Sequence, residues 1–299
     1  MSDPTGRRPS SRTSCAITGG YQFSQGSFEI TVASDGFITV PIDIVAPDRP
    51  SDERANILSV TGDPKSGVVI SKTNIPVIRS RDDLIIIDVG AGKKYQPTDG
   101  ALSANLHLCG IDPTEVTKVV FSHAHPDHIW GTLTETGSLR FPNASYYIGA
   151  AEWDFWMDPD YLTNMPAELH EFAAGARRDL GAIKDRVVML MPGDDIVAGL
   201  RALDTAGHTP GHLSFEIAGG DGLIVSADAA TNEIASFQHP KARFGYDTLP
   251  DLAIKNRARL IERAARDRIK LLGYHWTYPG IGYAERAGVD SFRYVAAQS

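Results

Sequence analysis

Ser122-His123-Ala124-His125-Pro126-Asp127-His128 places four imidazole or carboxylate donors within six residues. It follows Lys118-Val119-Val120-Phe121, a short apolar run with the character of a buried strand. In extended backbone His123 and His125 project to the same side. Pro126 keeps His125 out of helical geometry and predicts a turn there. Asp127 and His128 can then face a second, adjacent point. One segment can thereby serve two neighbouring cations, as a two-metal hydrolase requires. A single histidine is most often an ordinary core or surface residue; four donors at this spacing are not a chance pattern.

Three more donors stand where strands are expected to end. His208 lies in Gly207-His208-Thr209-Pro210-Gly211-His212, after an apolar run that closes near Thr205. Asp228 terminates Leu223-Ile224-Val225-Ser226-Ala227-Asp228, and His275 follows Ile269 to Tyr274. Imidazole and carboxylate ligands suit zinc foremost, with manganese, iron or cobalt as alternatives. With only Cys15 and Cys109 in the chain, a four-thiolate zinc site is excluded. His107, His170 and His239 have no such setting and are given no role.

With these residues in view, the chain resembles the metallo-β-lactamase superfamily, whose pattern is His-x-His-x-Asp-His followed by a distant His, Asp and His. The resemblance implies His123, His125 and His208 on one metal ion and Asp127, His128 and His275 on the other. Asp228 and a hydroxide would bridge them. Asp127 or Asp228 would relay the proton to the leaving group. It also implies that Asp88 orients a ligand imidazole, and that His212 packs behind the ligands without binding metal.

Among branches, the chain most resembles methyl parathion hydrolase and its lactonase and arylesterase relatives. The resemblance rests on the 28–36 stretch, Ile87-Asp88-Val89-Gly90-Ala91-Gly92, His208-Thr209-Pro210-Gly211-His212 and the ending from His275 to Gly282. It implies Tyr95 and Trp156 as pocket residues, with the divergent 229–249 stretch as a further wall. Trp153 and Phe155 are aromatic candidates nearby, or core residues of a short helix. The expected activity is cleavage of a small neutral ester or lactone, with slower phosphotriester hydrolysis. The alternatives are a β-lactam hydrolase and a non-catalytic metal-binding member of the fold. A homodimer is compatible with the resemblance.

Composition fits this. The 299 residues are 42% hydrophobic and 22% charged, an ordinary globular balance. The net charge of −8 argues against a nucleic-acid or anionic-membrane partner, and no apolar run has the length of a membrane span. Arg7-Arg8 is followed by Ser- and Thr-rich sequence without the apolar stretch of an export signal. Residues 1–20 therefore read as a flexible leader, 21–299 as a single domain, and the setting as cytoplasmic. Residues 28–33 and 36–41 read as a hairpin turning at Ser34-Asp35-Gly36, and 45–59 as a loop. Strands are expected at 67–70, 74–79 and 84–88, and helices over 98–109 and 167–183. Another helix carries Leu252, Asn256, Leu260, Ile261, Ala264 and Ala265, with Arg257, Arg259, Arg263 and Arg266 on a solvated face. Two β-sheets packed face to face with helices outside, an αββα sandwich of the α/β class, accommodate this order.

Overall fold

The computed structural model describes residues 15–17 and 19–298. The first sheet holds β1 (Cys15–Ile17), β2 (Gly20–Gln25), β3 (Phe28–Pro41), β4 (Gly62–Asp63), β5 (Val68–Arg79), β6 (Leu84–Ile87), β7 (Lys118–Val120), β8 (Ser145–Gly149) and β9 (Val187–Leu190). The second holds β10 (Asp195–Val197), β11 (Leu200–Asp204), β12 (Leu213–Ile217), β13 (Leu223–Val225), β14 (Lys270–Leu272), β15 (Ile281–Arg286) and β16 (Phe292–Ala296). The sheets thus divide along the sequence, one drawn from the first 190 residues and the other from 195 onward.

Burial on both faces explains the continuous apolar strands. Along β6, Ile85 and Ile87 point between the sheets, where they meet Phe215, Val225 and Leu272. Leu84 and Ile86 point outward, into a layer with Leu106 of helix Leu102–Leu108 and Leu180 of helix His170–Ile183. On the other side, Ile224 and Leu271 pack against Leu260, Ile261 and Ala264 of helix Pro250–Asp267. Each of these large aliphatic side chains contributes about 1.5–3 kcal/mol of burial. The αββα order is the one the sequence predicts.

Several local expectations are corrected. The 28–41 segment is one strand, paired with β5 along its length and bulged between Ser34 and Gly36. Asp35 does not turn the chain. Its buried carboxylate accepts from the Ala91 N–H at 2.9 Å and the Leu102 N–H at 2.8 Å. The strands expected at 67–70 and 74–79 are likewise the single strand β5. Residues 45–59 are not a loop, since Ile42–Val45 and Ser51–Thr61 are helical. Pro50 stands at the N-cap of the second helix, and Asp52 and Glu53 in its first turn suit the helix dipole. In helix Pro250–Asp267, Arg257 is buried, not solvated. Of the segment expected as a leader, Cys15–Ile17 pairs with β2; residues 1–14 and 18 lie outside the described residues.

Candidate metal centre

Parallel pairing of β6, β7 and β8, and of β13 with β14, aligns strand ends. Ligand sites of α/β sheets form at such carboxyl ends. Asp88 follows β6, the 122–128 segment follows β7, Asp228 follows β13 and His275 follows β14. His125 is extended at φ −68° and ψ 159°, and Pro126 opens the short helix Pro126–Ile129 that turns Asp127 and His128 inward. Asp88 and Ala227 have φ of 61° and 44°. These are left-handed conformations that cost a non-glycine residue of order 1 kcal/mol and aim the two aspartates at the cluster.

All seven predicted donors converge. His123, His125 and His208 form one set, His123, His128 and Asp228 a second, and Asp127, His128 and His275 a third, each with donor atoms within 4.8 Å of one another. His125 Nδ1 lies 3.0 Å from His123 Nε2 and 2.9 Å from His208 Nε2. Nitrogens bound at zinc distances around one tetrahedral ion sit about 3.3 Å apart, so the spacing fits. His275 Nε2 is 3.3 Å from Asp127 Oδ2 and from Asp228 Oδ2, and the latter oxygen is 3.2 Å from His208 Nε2. Asp228 therefore stands between the sets. Asp127 Oδ2, His128 Nε2 and Asp228 Oδ1 are buried and have no hydrogen-bond partner among the described residues. Such orphaned acceptors are costly unless something else satisfies them. A divalent cation would do so.

The outer nitrogens fix which atom each imidazole presents. His128 Nδ1–H donates to Asp88 Oδ2 at 2.8 Å, and His275 Nδ1–H to the Lys72 carbonyl at 2.8 Å. His208 Nδ1–H donates to Asp247 Oδ1 at 3.1 Å, and Asp247 Oδ2 accepts from Arg257 at 2.8 Å. In each case the bare Nε2 faces the cluster. Burial lowers the His208 pKa, but hydrogen bonds to Asp228 and Asp247 outweigh it and push it up to about 9. Burial and the neighbouring His128 hold His123 well below the ordinary range. The same carboxylates would also stabilise a cation held at the cluster.

Asp88 stands where the sequence assigns it, also accepting from the Ser122 N–H at 2.8 Å. His212 is engaged at both nitrogens. Nδ1 contacts Thr205 Oγ1 at 2.9 Å, and Nε2 accepts from the Asp228 N–H at 3.1 Å. Burial lowers its pKa to about 3. It supports Asp228 from behind.

The cluster floors a narrow cleft open to solvent. Ile38, Val40, Tyr95 and Phe172 form apolar walls, and Thr231, Phe244 and Tyr246 come from the expected 229–249 stretch. Trp156 is not a wall. It is wholly buried, with its indole N–H donating to Glu152 Oε1 at 2.6 Å and its ring edge against His125, centroids 5.7 Å apart. Trp153 and Phe155 pack in the same core. Sequence reasoning missed Glu152 and Asp247, the buried carboxylates behind the histidines, as well as Phe172.

A profile of the metallo-beta-lactamase superfamily matches residues 70–275. The chain belongs to that superfamily. The metallo-beta-lactamase fold is shared with the solved structure of the hydrolase AbOPH, 27% identical with a TM-score of 0.87, covering 95% of this chain and 99% of that one. It is also shared with AidC, described as a dizinc quorum-quenching lactonase, 26% identical with a TM-score of 0.86 over 95% and 99% of the two chains. The N-acyl homoserine lactonase AttM of Agrobacterium fabrum is 31% identical over 133 residues, 40% of this chain and 44% of that protein. The match thus spans less than half of this relative. Among the described residues no helix is long and apolar enough to cross a membrane.

Proposed function

We propose that the chain is a two-metal hydrolase that opens a small neutral lactone, with related esters and, more slowly, phosphotriesters as further substrates. The observation that carries this is the convergence of seven donors at the floor of an apolar-walled cleft. His123, His125 and His208 would hold one ion and Asp127, His128 and His275 the other, with Asp228 placed between the two sets. Five imidazoles and two carboxylates favour zinc. Such a pair of ions supplies a water acidified toward neutral pH and an electrophile for the substrate oxygen.

The chain's own groups supply the rest. Asp88, Asp247 and the Lys72 carbonyl keep the ligand nitrogens aimed, so little reorganisation accompanies reaction. One of the carboxylates Asp127 and Asp228 would take the proton lost by the attacking water and return it to the leaving alkoxide. Ile38, Val40, Phe172 and Phe244 exclude water around an apolar acyl or alkyl group. The likeness to AttM and AidC favours a lactone, such as an N-acyl homoserine lactone, over the aryl esters and phosphotriesters of the methyl parathion hydrolase branch.

The test is kcat/KM of the zinc-loaded protein on an N-hexanoyl homoserine lactone, a δ-lactone, an aryl ester, a β-lactam and a methyl phosphotriester. A lactone should be fastest. Preference for the β-lactam would overturn the substrate class, and two bound ions without turnover on any of the five would make the chain a non-catalytic metal binder.

A further inference from the structure

We propose that Glu152 is a positioning residue for the three-histidine half of the centre, and that its loss loosens that half before the other. The inference rests on the metal-binding reading above but concerns a residue outside the ligand set. Glu152 lies in the first turn of helix Ala150–Met157, directly after β8, and its side chain is wholly buried. Oε1 accepts from the Ala124 N–H at 2.9 Å and the Trp156 indole at 2.6 Å. Oε2 accepts from Thr209 Oγ1 at 2.6 Å and the Gly211 N–H at 3.0 Å.

Ala124 separates His123 from His125, and Thr209 follows His208. One carboxylate therefore ties together the backbones that carry all three imidazoles, although they leave different sheets. Trp156, anchored on the same oxygen, adds a third constraint by setting its edge against His125. The close approach is built in at Gly211, where a Cβ would fall 2.0 Å from the Glu152 nitrogen. A buried carboxylate is costly without partners, and four donors fill its acceptor sites. None of these contacts reaches Asp127, His128 or His275. Those rely on Asp88, on the Lys72 carbonyl and on Tyr274, whose hydroxyl donates to the Asp127 carbonyl at 2.7 Å.

Geometry demands a carboxylate there and not its amide. A glutamine offers one acceptor oxygen and turns an NH₂ toward two donors. Zinc titration against a competing chelator should show that Glu152→Gln binds one ion as the wild type does and the second about 10–100-fold more weakly. Two backgrounds assign the loss to a half. Added to His208→Ala, Glu152→Gln should change the remaining affinity by no more than about twofold, because the half it supports is already broken. Added to His275→Ala, it should weaken the remaining ion by about 10–100-fold.

Wild-type affinity for both ions in Glu152→Gln, or equal losses in the two backgrounds, overturns the proposal. If Glu152→Gln shows no cooperative melt, Thr209→Val takes its place, removing one donor while leaving three. It should give the same one-sided weakening at smaller amplitude, and two ions at wild-type affinity in Thr209→Val overturn the proposal equally. A wild type that binds no zinc fails differently, by removing the metal reading itself.

Discussion

His208 and His212 sit four residues apart in one loop and differ in what occupies their second nitrogen. His208 gives only Nδ1 to Asp247 and keeps Nε2 for the cluster; His212 has both nitrogens engaged by Thr205 and Asp228. His212→Ala should therefore retain two zinc ions and lose rate within about 10–100-fold, as for a supporting group. Asp228→Ala should lose more, because it removes the carboxylate between the two sets. Elemental analysis with kcat/KM on the best lactone checks both, and loss of an ion from His212→Ala would reverse the assignment. The seven donors were legible because four of them crowd one segment and three end apolar strands. Glu152 and Asp247 were not. Each is a lone acid whose partners in the histidine segments are distant in sequence, and the local signal, Glu152 beside the apolar Tyr147-Ile148-Gly149-Ala150-Ala151, is weak. Trp156 misled for a related reason. Its indole N–H needs a buried acceptor, and Glu152 draws it away from the cleft.

Elements were legible where apolar period and length agreed, as for the strand before His123 and for helix Pro250–Asp267. They were misread where polar residues serve the interior. Asp35-Gly36 has the composition of a hairpin turn but is a bulge whose acid caps backbone donors of the loop at Ala91 and of helix Leu102–Leu108. The 51–61 helix has a mixed surface without a clear apolar stripe, so periodicity gave no sign of it. Arg257 looked like one arginine among several on a wet helix face. It reaches inward, pairs with Asp247 and donates to the Ala229 and Ala242 carbonyls. Arg257→Met strips Asp247 of its buried cation, and breaking such a pair costs about 3–5 kcal/mol. Lys255→Ala on the exposed face of the same helix should stay within about 0.5 kcal/mol. Urea midpoints of the two variants decide it, and equal midpoints would return Arg257 to the surface role its sequence suggests.

At the scale of the molecule, the first sheet brings His123, His125, Asp127 and His128, and the second brings His208, Asp228 and His275. Ions bound there would join the two sheets across the ends of their shared core. A ligand that binds only the folded state stabilises it by about 4 kcal/mol when its free concentration is 1,000 times its dissociation constant. Dialysis against a chelator should lower the melting temperature, and zinc readdition should restore it. An unchanged melt would mean that the apolar layer between the sheets holds the sandwich by itself. The αββα layering was legible because it follows from element order, whereas the joining of the sheets by their donors appears only when strand ends are located in space.

The division of the sheets along the sequence also sets a clock. Roughly 150 residues separate His128 from His275 in the chain, a stretch that takes about 7 to 30 s to synthesise at typical elongation rates. For about the first 80 residues of that interval the growing polypeptide carries four of the seven donors without His208, Asp228 or His275. His208 then completes the three-histidine set roughly midway, and His275 completes the other at the end of the interval. Both sets of donors are complete only once β14 of the second sheet has been made, so a centre loaded at both would report that the two sheets have docked.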